Sequence, residues 1–289
     1  VYLKQGEIFT LRELMKATVI SSANDAAVAV AEHVFGQVKF FLKKMNERAK
    51  ELGMKKTRYF SVHGLPPSRG QKLDVSSAFD LFLLAKELLK HRLYLSWSST
   101  RLDTFRNGTF QLLNTNHRLM LNYIGMDGMK TGYHRRAGFN LVSTAKRKGQ
   151  RYLVVVLGAK NSLLRRKATR YLLDYGFKNY LKYELNKKGE TVPYLVGVEN
   201  GELEGVSLQT TEKVIVLMSQ EEYKRLEKFP HIPQFVKAPI KFQQITGYLE
   251  YWLDGKLLRQ VKLQTEKGVQ VQNPFSGLTG MLTDLSGNN

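Results

Sequence analysis

The feature that most constrains this chain is a change in the spacing of its apolar residues. Ahead of Lys90 they recur at helical spacing: Leu11, Leu14, Met15 and Val19, then Val38, Phe41, Leu42, Met45, Ala49 and Leu52, then Leu81, Leu83, Leu84, Leu88 and Leu89. That period places each set on one face of a helix. Thr10 and Glu13 have the spacing of a capping box, so a helix is predicted from there to about Ile20. Ser21-Ser22-Ala23-Asn24 interrupts it. Asp25 is expected to cap a helix over residues 26–35 that Gly36 ends, and Gly53 to stop the next one. Ser77 and Asp80 repeat the capping pattern.

Farther on the period shortens. Residues 139–145 and 152–157 read as strands, with Lys146-Arg147-Lys148-Gly149 as the hairpin turn between them. A helix over about 163–175 is expected next, with Leu172, Leu173 and Tyr175 facing inward and Gly176 after it. Beyond Leu185 only short strands are predicted, at 192–198, 206–208, 214–218, 244–253 and 257–263, the last two joined at Asp254-Gly255. Helices followed by hairpins, without regular alternation of strand and helix, give an α+β class: a sheet with helices on its faces, plus a small C-terminal all-β domain. The expected boundaries are 1–184 for the first domain, 185–271 for the second and 272–289 for a tail. In that tail Phe275, Leu278, Leu282 and Leu285 form one weak apolar helical face, the possible start of an amphipathic anchor.

Composition narrows the functional classes. With 45 Lys and Arg against 25 Asp and Glu, the net charge is +20, which favours an anionic polymer or an anionic membrane surface as neighbour. Nucleic acid is not expected: the basic residues are spread along the chain, and no zinc-finger spacing, RNA-binding aromatic strand or basic zipper occurs. There is no cysteine, and the six histidines show no metal-ligand spacing, so neither metal nor cofactor is expected. His63 reads as a structural loop residue. No apolar run is long enough to cross a bilayer, and the first residues are not a signal peptide.

Two short motifs carry the chemistry: Ser22-Ala23-Asn24, where the first helical run breaks, and Lys130-Thr131-Gly132, just ahead of the hairpin. Either alone is weak. Together, and in this order, they resemble the Ser-x-Asn and Lys-Thr-Gly elements of penicillin-binding enzymes. Glu51-Leu52-Gly53-Met54, His63-Gly64-Leu65, Asn114-Thr115-Asn116, Asp127-Gly128-Met129 and Ala137-Gly138-Phe139-Asn140-Leu141-Val142 extend the resemblance to the serine-type D-Ala-D-Ala carboxypeptidases, the low-molecular-mass penicillin-binding proteins. It covers the chain from Tyr2 to about Val271.

The resemblance implies a β-lactamase/transpeptidase-like first domain and a reaction through an acyl-enzyme on stem peptides of peptidoglycan ending in D-Ala-D-Ala, with β-lactams acylating the same serine. It implies that Ser22 relays a proton to the departing D-alanine, that Asn24 holds the substrate amide and orients a lysine, and that Lys130 adds positive charge. Thr131 and Arg165 would bind the terminal carboxylate, and Gly132 would let the peptide lie on the strand edge. Tyr133 would line the pocket. It further implies a periplasmic or extracytoplasmic protein, peripheral to the inner membrane.

One element of the family pattern is missing. The nucleophile belongs to a Ser-x-x-Lys that precedes Ser-x-Asn, and residues 1–21 contain none. It is therefore expected upstream of Val1; the alternatives are a fragment or a non-catalytic relative that binds peptidoglycan. Ser143-Thr144-Ala145-Lys146 spells the same pattern but lies in a predicted strand, where residues three apart point to opposite faces. It also follows Lys-Thr-Gly, which reverses the family's order.

Overall fold

The computed structural model describes residues 1–66, 70 and 72–273. The apolar face read at Phe275, Leu278, Leu282 and Leu285 lies outside the described residues. The chain divides into two compact units, Val1–Lys178 and Asn179–Asn289.

The first unit opens with helices α1 (Leu11–Ile20), α2 (Asn24–Phe35), α3 (Val38–Glu51), α4 (Ala78–Leu88) and α5 (Arg92–Ser99). The hairpin β1 (Leu102–Phe105) and β2 (Phe110–Leu113) follows, then α6 (His117–Asn122). The antiparallel sheet β3 (Met126–His134), β4 (Gly138–Arg147) and β5 (Gln150–Ala159) comes next, and α7 (Ser162–Asn179) ends the unit. The order β3-β4-β5 leaves β3 at an edge.

Local chemistry explains most of these boundaries. Thr10 and Glu13 close a full capping box on α1. Ser77 caps α4 through the Asp80 amide, but the Asp80 carboxylate turns instead to the Lys56 amide and the Thr57 hydroxyl, both at 2.7 Å. The expected cap at Asp25 is not made. Helix α2 begins two residues earlier, at Asn24 with Ala23 at the cap position, and the Asp25 carboxylate accepts from the Leu3 amide at 2.9 Å. The β4–β5 turn is the two-residue Lys148-Gly149, both with positive φ (47° and 74°), as the twist of a hairpin favours.

Helix α7 corrects two expectations. Gly176 does not end it, and Leu172 and Tyr175 are exposed, while Arg165, Thr169, Leu173 and Gly176 form the buried stripe. Those positions recur at helical spacing, and Gly176 is there for close approach: a Cβ on it would lie 2.9 Å from the Tyr152 ring. Leu173 packs in a core with Leu119, Tyr123, Leu141, Ala145 and Val154. A second core joins Leu14, Ala17 and Ile20 of α1 to Ala26 and Val30 of α2 and to Phe105 and Leu112 of the first hairpin.

The second unit is built on strands β6 (Tyr180–Asn186), β7 (Thr191–Glu199), β8 (Gly205–Thr210) and β9 (Val214–Ser219), the short helix α8 (Gln220–Lys224), and strands β10 (Leu226–His231), β11 (Phe235–Lys237), β12 (Ile245–Leu253) and β13 (Lys256–Thr265). Six strands form a sheet in the order β10-β12-β13-β8-β7-β11, and β6 pairs with β9. Strands β6, β10 and β11 were not legible as strands. Strand β10 contains Pro230, which a sheet tolerates at its edge, and β11 has only three residues. Val196, Val206, Leu208, Tyr251, Val261 and Leu263 fill the core.

Candidate active site

Ser22 sits in the turn between α1 and α2 with a left-handed backbone (φ 60°). A non-glycine residue held there costs on the order of 1 kcal/mol, which the neighbouring structure must offset. The Ala23 amide returns to the Ala17 carbonyl at 3.1 Å and fixes the turn. The result is a serine hydroxyl projected from the end of α1 rather than folded back onto it.

That hydroxyl meets Lys130. The Lys130 ammonium donates to Ser22 Oγ at 2.6 Å and to the Thr131 carbonyl at 2.7 Å. Burial pushes the Lys130 pKa down to about 8, because the charged form has lost part of its hydration. Two motifs 108 positions apart in sequence therefore share one hydrogen bond.

Lys130, Thr131 and Gly132 lie on β3, whose other side has no strand partner among the described residues. The beginning of β3 is held tightly: a Cβ on Gly128 (φ 136°) would lie 2.5 Å from Ser98 Oγ, and Arg151 pairs with Asp127 at 2.7 Å. At Gly132 the situation is reversed. Among the described residues an added Cβ would meet nothing closer than Asn140 Cβ at 4.0 Å, so none of them requires glycine there. A glycine on a free strand edge suits the close approach of a ligand backbone. Behind the motif lies a hollow of about 380 Å³, lined by apolar side chains that include Val19, Leu84, Leu88, Leu141 and Leu157.

Arg165 on α7 is buried, with 8% of its surface exposed. Its Nη1 donates to the Asn140 carbonyl at 3.3 Å, and its Nε has no hydrogen-bond partner among the described residues. Asn140 is the register partner of Gly132. Burial, followed by the charge of neighbouring Arg166, lowers the Arg165 pKa, and among the described residues no carboxylate forms an ion pair with the guanidinium. A buried cation in that condition is suited to an anionic ligand.

The remaining candidates are placed as follows. Asn24 lines a shallow hollow with Ser22, and among the described residues its side chain makes no hydrogen bond to Ser22 or Lys130. Tyr133 is exposed and packs against Phe139 with the rings tilted by 32°, ring centres 4.2 Å apart. Ser143 is fully buried in β4, its hydroxyl donating to the Gly128 carbonyl at 3.1 Å, while Lys146 is exposed, so the decoy pattern brings no serine to a lysine. One participant, Thr115, belongs to a segment that carries the resemblance but has no site role assigned from sequence. Thr131 Oγ1 donates to Thr115 Oγ1 at 2.6 Å, from strand β3 to the loop between β2 and α6, which only the tertiary fold brings together.

The family model for D-alanyl-D-alanine carboxypeptidase matches residues 1–161. This chain belongs to that family. It is thereby a low-molecular-mass penicillin-binding protein, and residues 180–271 match the C-terminal domain of penicillin-binding protein 5. Among curated relatives, the D-alanyl-D-alanine carboxypeptidase DacF of Bacillus subtilis is 36% identical over 264 residues, 90% of this chain and 66% of the relative. The chain thus spans about two thirds of that relative's length. Penicillin-binding protein 5 of Haemophilus influenzae superposes with a TM-score of 0.66 at 27% identity, covering 93% of this chain and 77% of that one. Penicillin-binding protein D2 of Listeria monocytogenes, solved with ampicillin bound, gives 0.55 at 37% identity over 60% of this chain and 70% of that one. The α+β architecture with its all-β C-terminal region is the one shared with these carboxypeptidase-family proteins.

Proposed function

We propose that this chain forms most of a serine D-Ala-D-Ala carboxypeptidase that removes the terminal D-alanine from peptidoglycan stem peptides. The observation that carries the reading is the Lys130–Ser22 contact of 2.6 Å beside the free edge of β3. A substrate strand laid along that edge receives backbone hydrogen bonds from β3 and puts its terminal carboxylate toward Thr131 and the uncompensated guanidinium of Arg165. Tyr133 forms the exposed wall beyond Gly132, and Asn24 holds the substrate amide from the opposite side.

The attacking serine comes from a Ser-x-x-Lys helix outside these 289 residues, and the apolar hollow behind Lys130 is suited to seat such a helix. Its hydroxyl adds to the scissile carbonyl, its proton passing to the lysine of the same motif. Ser22 then relays a proton to the departing amine of D-alanine, with the charge of Lys130 keeping its oxygen oriented. Water hydrolyses the ester that remains. A β-lactam enters the same steps but keeps its leaving group tethered.

Substrate of this kind places the protein outside the cytoplasm. Among the described residues no helix is long and apolar enough to cross a membrane. The charge of +20 favours anionic lipid head groups or an anionic wall polymer as the neighbour that keeps it near its substrate.

The test is the intact mass of the protein purified from the cells that make it, before and after incubation with a penicillin. Gain of one penicillin, mapped to a serine in a Ser-x-x-Lys, is the expected result. Absence of any adduct would replace this reading with that of a peptidoglycan-binding relative that has lost the chemistry.

A further inference from the structure

Thr115 lies in the loop between β2 and α6, and that loop is held from several sides. Its own amide donates to the Ile20 carbonyl at 3.2 Å, two residues before Ser22. The preceding residue, Asn114, is buried, and its Nδ2 donates to the carbonyls of Ser98 and Thr100 at 3.1 and 2.9 Å. Its Oδ1 accepts from the Asn116 amide at 2.8 Å. Ser98 is tied onward to the start of β3 through the Asp127 carbonyl at 3.2 Å. Thr115 is thus fixed to both walls of the site, yet it is exposed where the walls face each other.

The hydrogen count at this point is informative. Two hydroxyls 2.6 Å apart share one hydrogen, and here Thr131 donates it to Thr115. A carboxylate only accepts, so it must be met by a donor. With the Thr131 hydrogen committed, the donor left facing outward is the hydroxyl hydrogen of Thr115, which has no other bond among the described residues. If the pair reverses, Thr115 donates to Thr131 and Thr131 donates outward. In both arrangements the pair offers one hydroxyl hydrogen to a ligand, and each hydroxyl fixes the direction of the other.

We propose that Thr115 is a specificity-determining residue: with Thr131 it forms a hydroxyl pair that recognises the terminal carboxylate of the peptide. This rests on the carboxypeptidase reading above and adds a residue to it. The deletion of Thr115 Oγ1 removes the outward donor of the recorded arrangement and frees the Thr131 hydroxyl to rotate. A hydrogen bond to a charged group is worth enough that affinity for a carboxylate should drop about tenfold. A ligand without that charge should be almost indifferent.

The experiment compares binding of an N-acetylated D-alanyl-D-alanine dipeptide with that of its C-terminal amide, by NMR titration, to wild type, Thr115→Val and Thr115→Ser. Penicillin acylation is measured in parallel. The expected result is a loss of about tenfold for the acid in T115V, no change for the amide, and recovery in T115S. In the double variant with Thr131→Val, the loss should be smaller than the product of the two single losses, since the hydroxyls act as a unit. Equal weakening of acid and amide in T115V would assign Thr115 to structure alone and overturn the proposal. So would unchanged binding of both. Wild-type protein that is acylated but shows no Thr115-dependent preference overturns this proposal and leaves the carboxypeptidase reading intact; wild-type protein that is not acylated and binds neither peptide overturns both.

Discussion

The two units treat their polar groups in opposite ways. In the second unit Val196, Val206, Leu208, Val261 and Leu263 are fully buried, and the buried hydroxyl of Tyr251 donates to Asn186 Oδ1 at 2.9 Å. The first unit holds Ser22 in a left-handed turn, the Lys130 ammonium at a depressed pKa, and Arg165 with an unpartnered Nε. The buried side-chain polar atoms without a partner among the described residues, on Asn116 and Arg165, both belong to the first unit. Unpaired charge and backbone strain lower stability, and they persist where surrounding structure over-determines them. Left-handed backbone alone does not separate the units, since Asn200, Gln243 and Asp254 of the second also have positive φ; the unpartnered buried polar atoms and the depressed Lys130 pKa point to the first unit for chemistry.

The largest expected effect is at Lys130. Replacing it in Lys130→Met removes the ammonium from Ser22, and penicillin acylation should slow about a thousandfold with little loss of stability. A loss of less than tenfold would break the assignment of chemistry to this contact. Next comes the scaffold. Leu263→Ala should destabilise the second unit by about 3 kcal/mol, read by amide hydrogen exchange in β12 and β13, while acylation by folded protein stays unchanged. Coupling between the two readouts would erase the contrast.

At Arg165 the two readouts should separate within one residue. Arg165→Met is expected to lower the preference for a peptide acid over its amide about thirtyfold. Thermal stability should hold or rise, because a buried cation without a counter-charge is replaced by an apolar side chain of similar length. The smallest effect belongs to Tyr133. Its contact with Phe139 is exposed, so Tyr133→Ala should cost about 1 kcal/mol of stability in the first unit. Acylation should change by less than about threefold, checked with the same penicillin assay.

What was legible in the sequence depended on how local the cause was. The capping box at Thr10 and Glu13, the stop at Gly53 and a turn within Lys146-Arg147-Lys148-Gly149 are decided by neighbours a few residues away; the structure has them, with the turn narrowed to Lys148-Gly149 because Lys146 and Arg147 continue β4. Glycine usually breaks helices, which makes Gly176 look like a helix end, but the ring of Tyr152 on strand β5 sets its role. Strand β10 was hidden by Pro230, whose tolerance depends on the strand lying at an edge. Among site residues, Ser22 and Lys130 carry a role as motif members, whereas Thr115 sits in a segment, Asn114-Thr115-Asn116, that marks the resemblance without giving it a role. Its part arises from a hydroxyl contact with Thr131 that exists only once α1, the β2–α6 loop and β3 have come together.

The most direct measurement is the pH dependence of the acylation rate constant for the protein purified from its cells, with Lys130→Arg beside it. Lys130 has its pKa lowered from 10.5 to about 8 by burial, so its protonated form is disfavoured in the folded state. The stability penalty of that charge is present below about pH 8 and is relieved as pH rises toward 10.5. If the charged lysine orients Ser22, the rate should fall above pH 8, about tenfold per pH unit once past the pKa. In the arginine variant that limb should move to higher pH, because guanidinium keeps its proton. A wild-type rate that stays level to pH 10 would contradict a role for the Lys130 charge at Ser22.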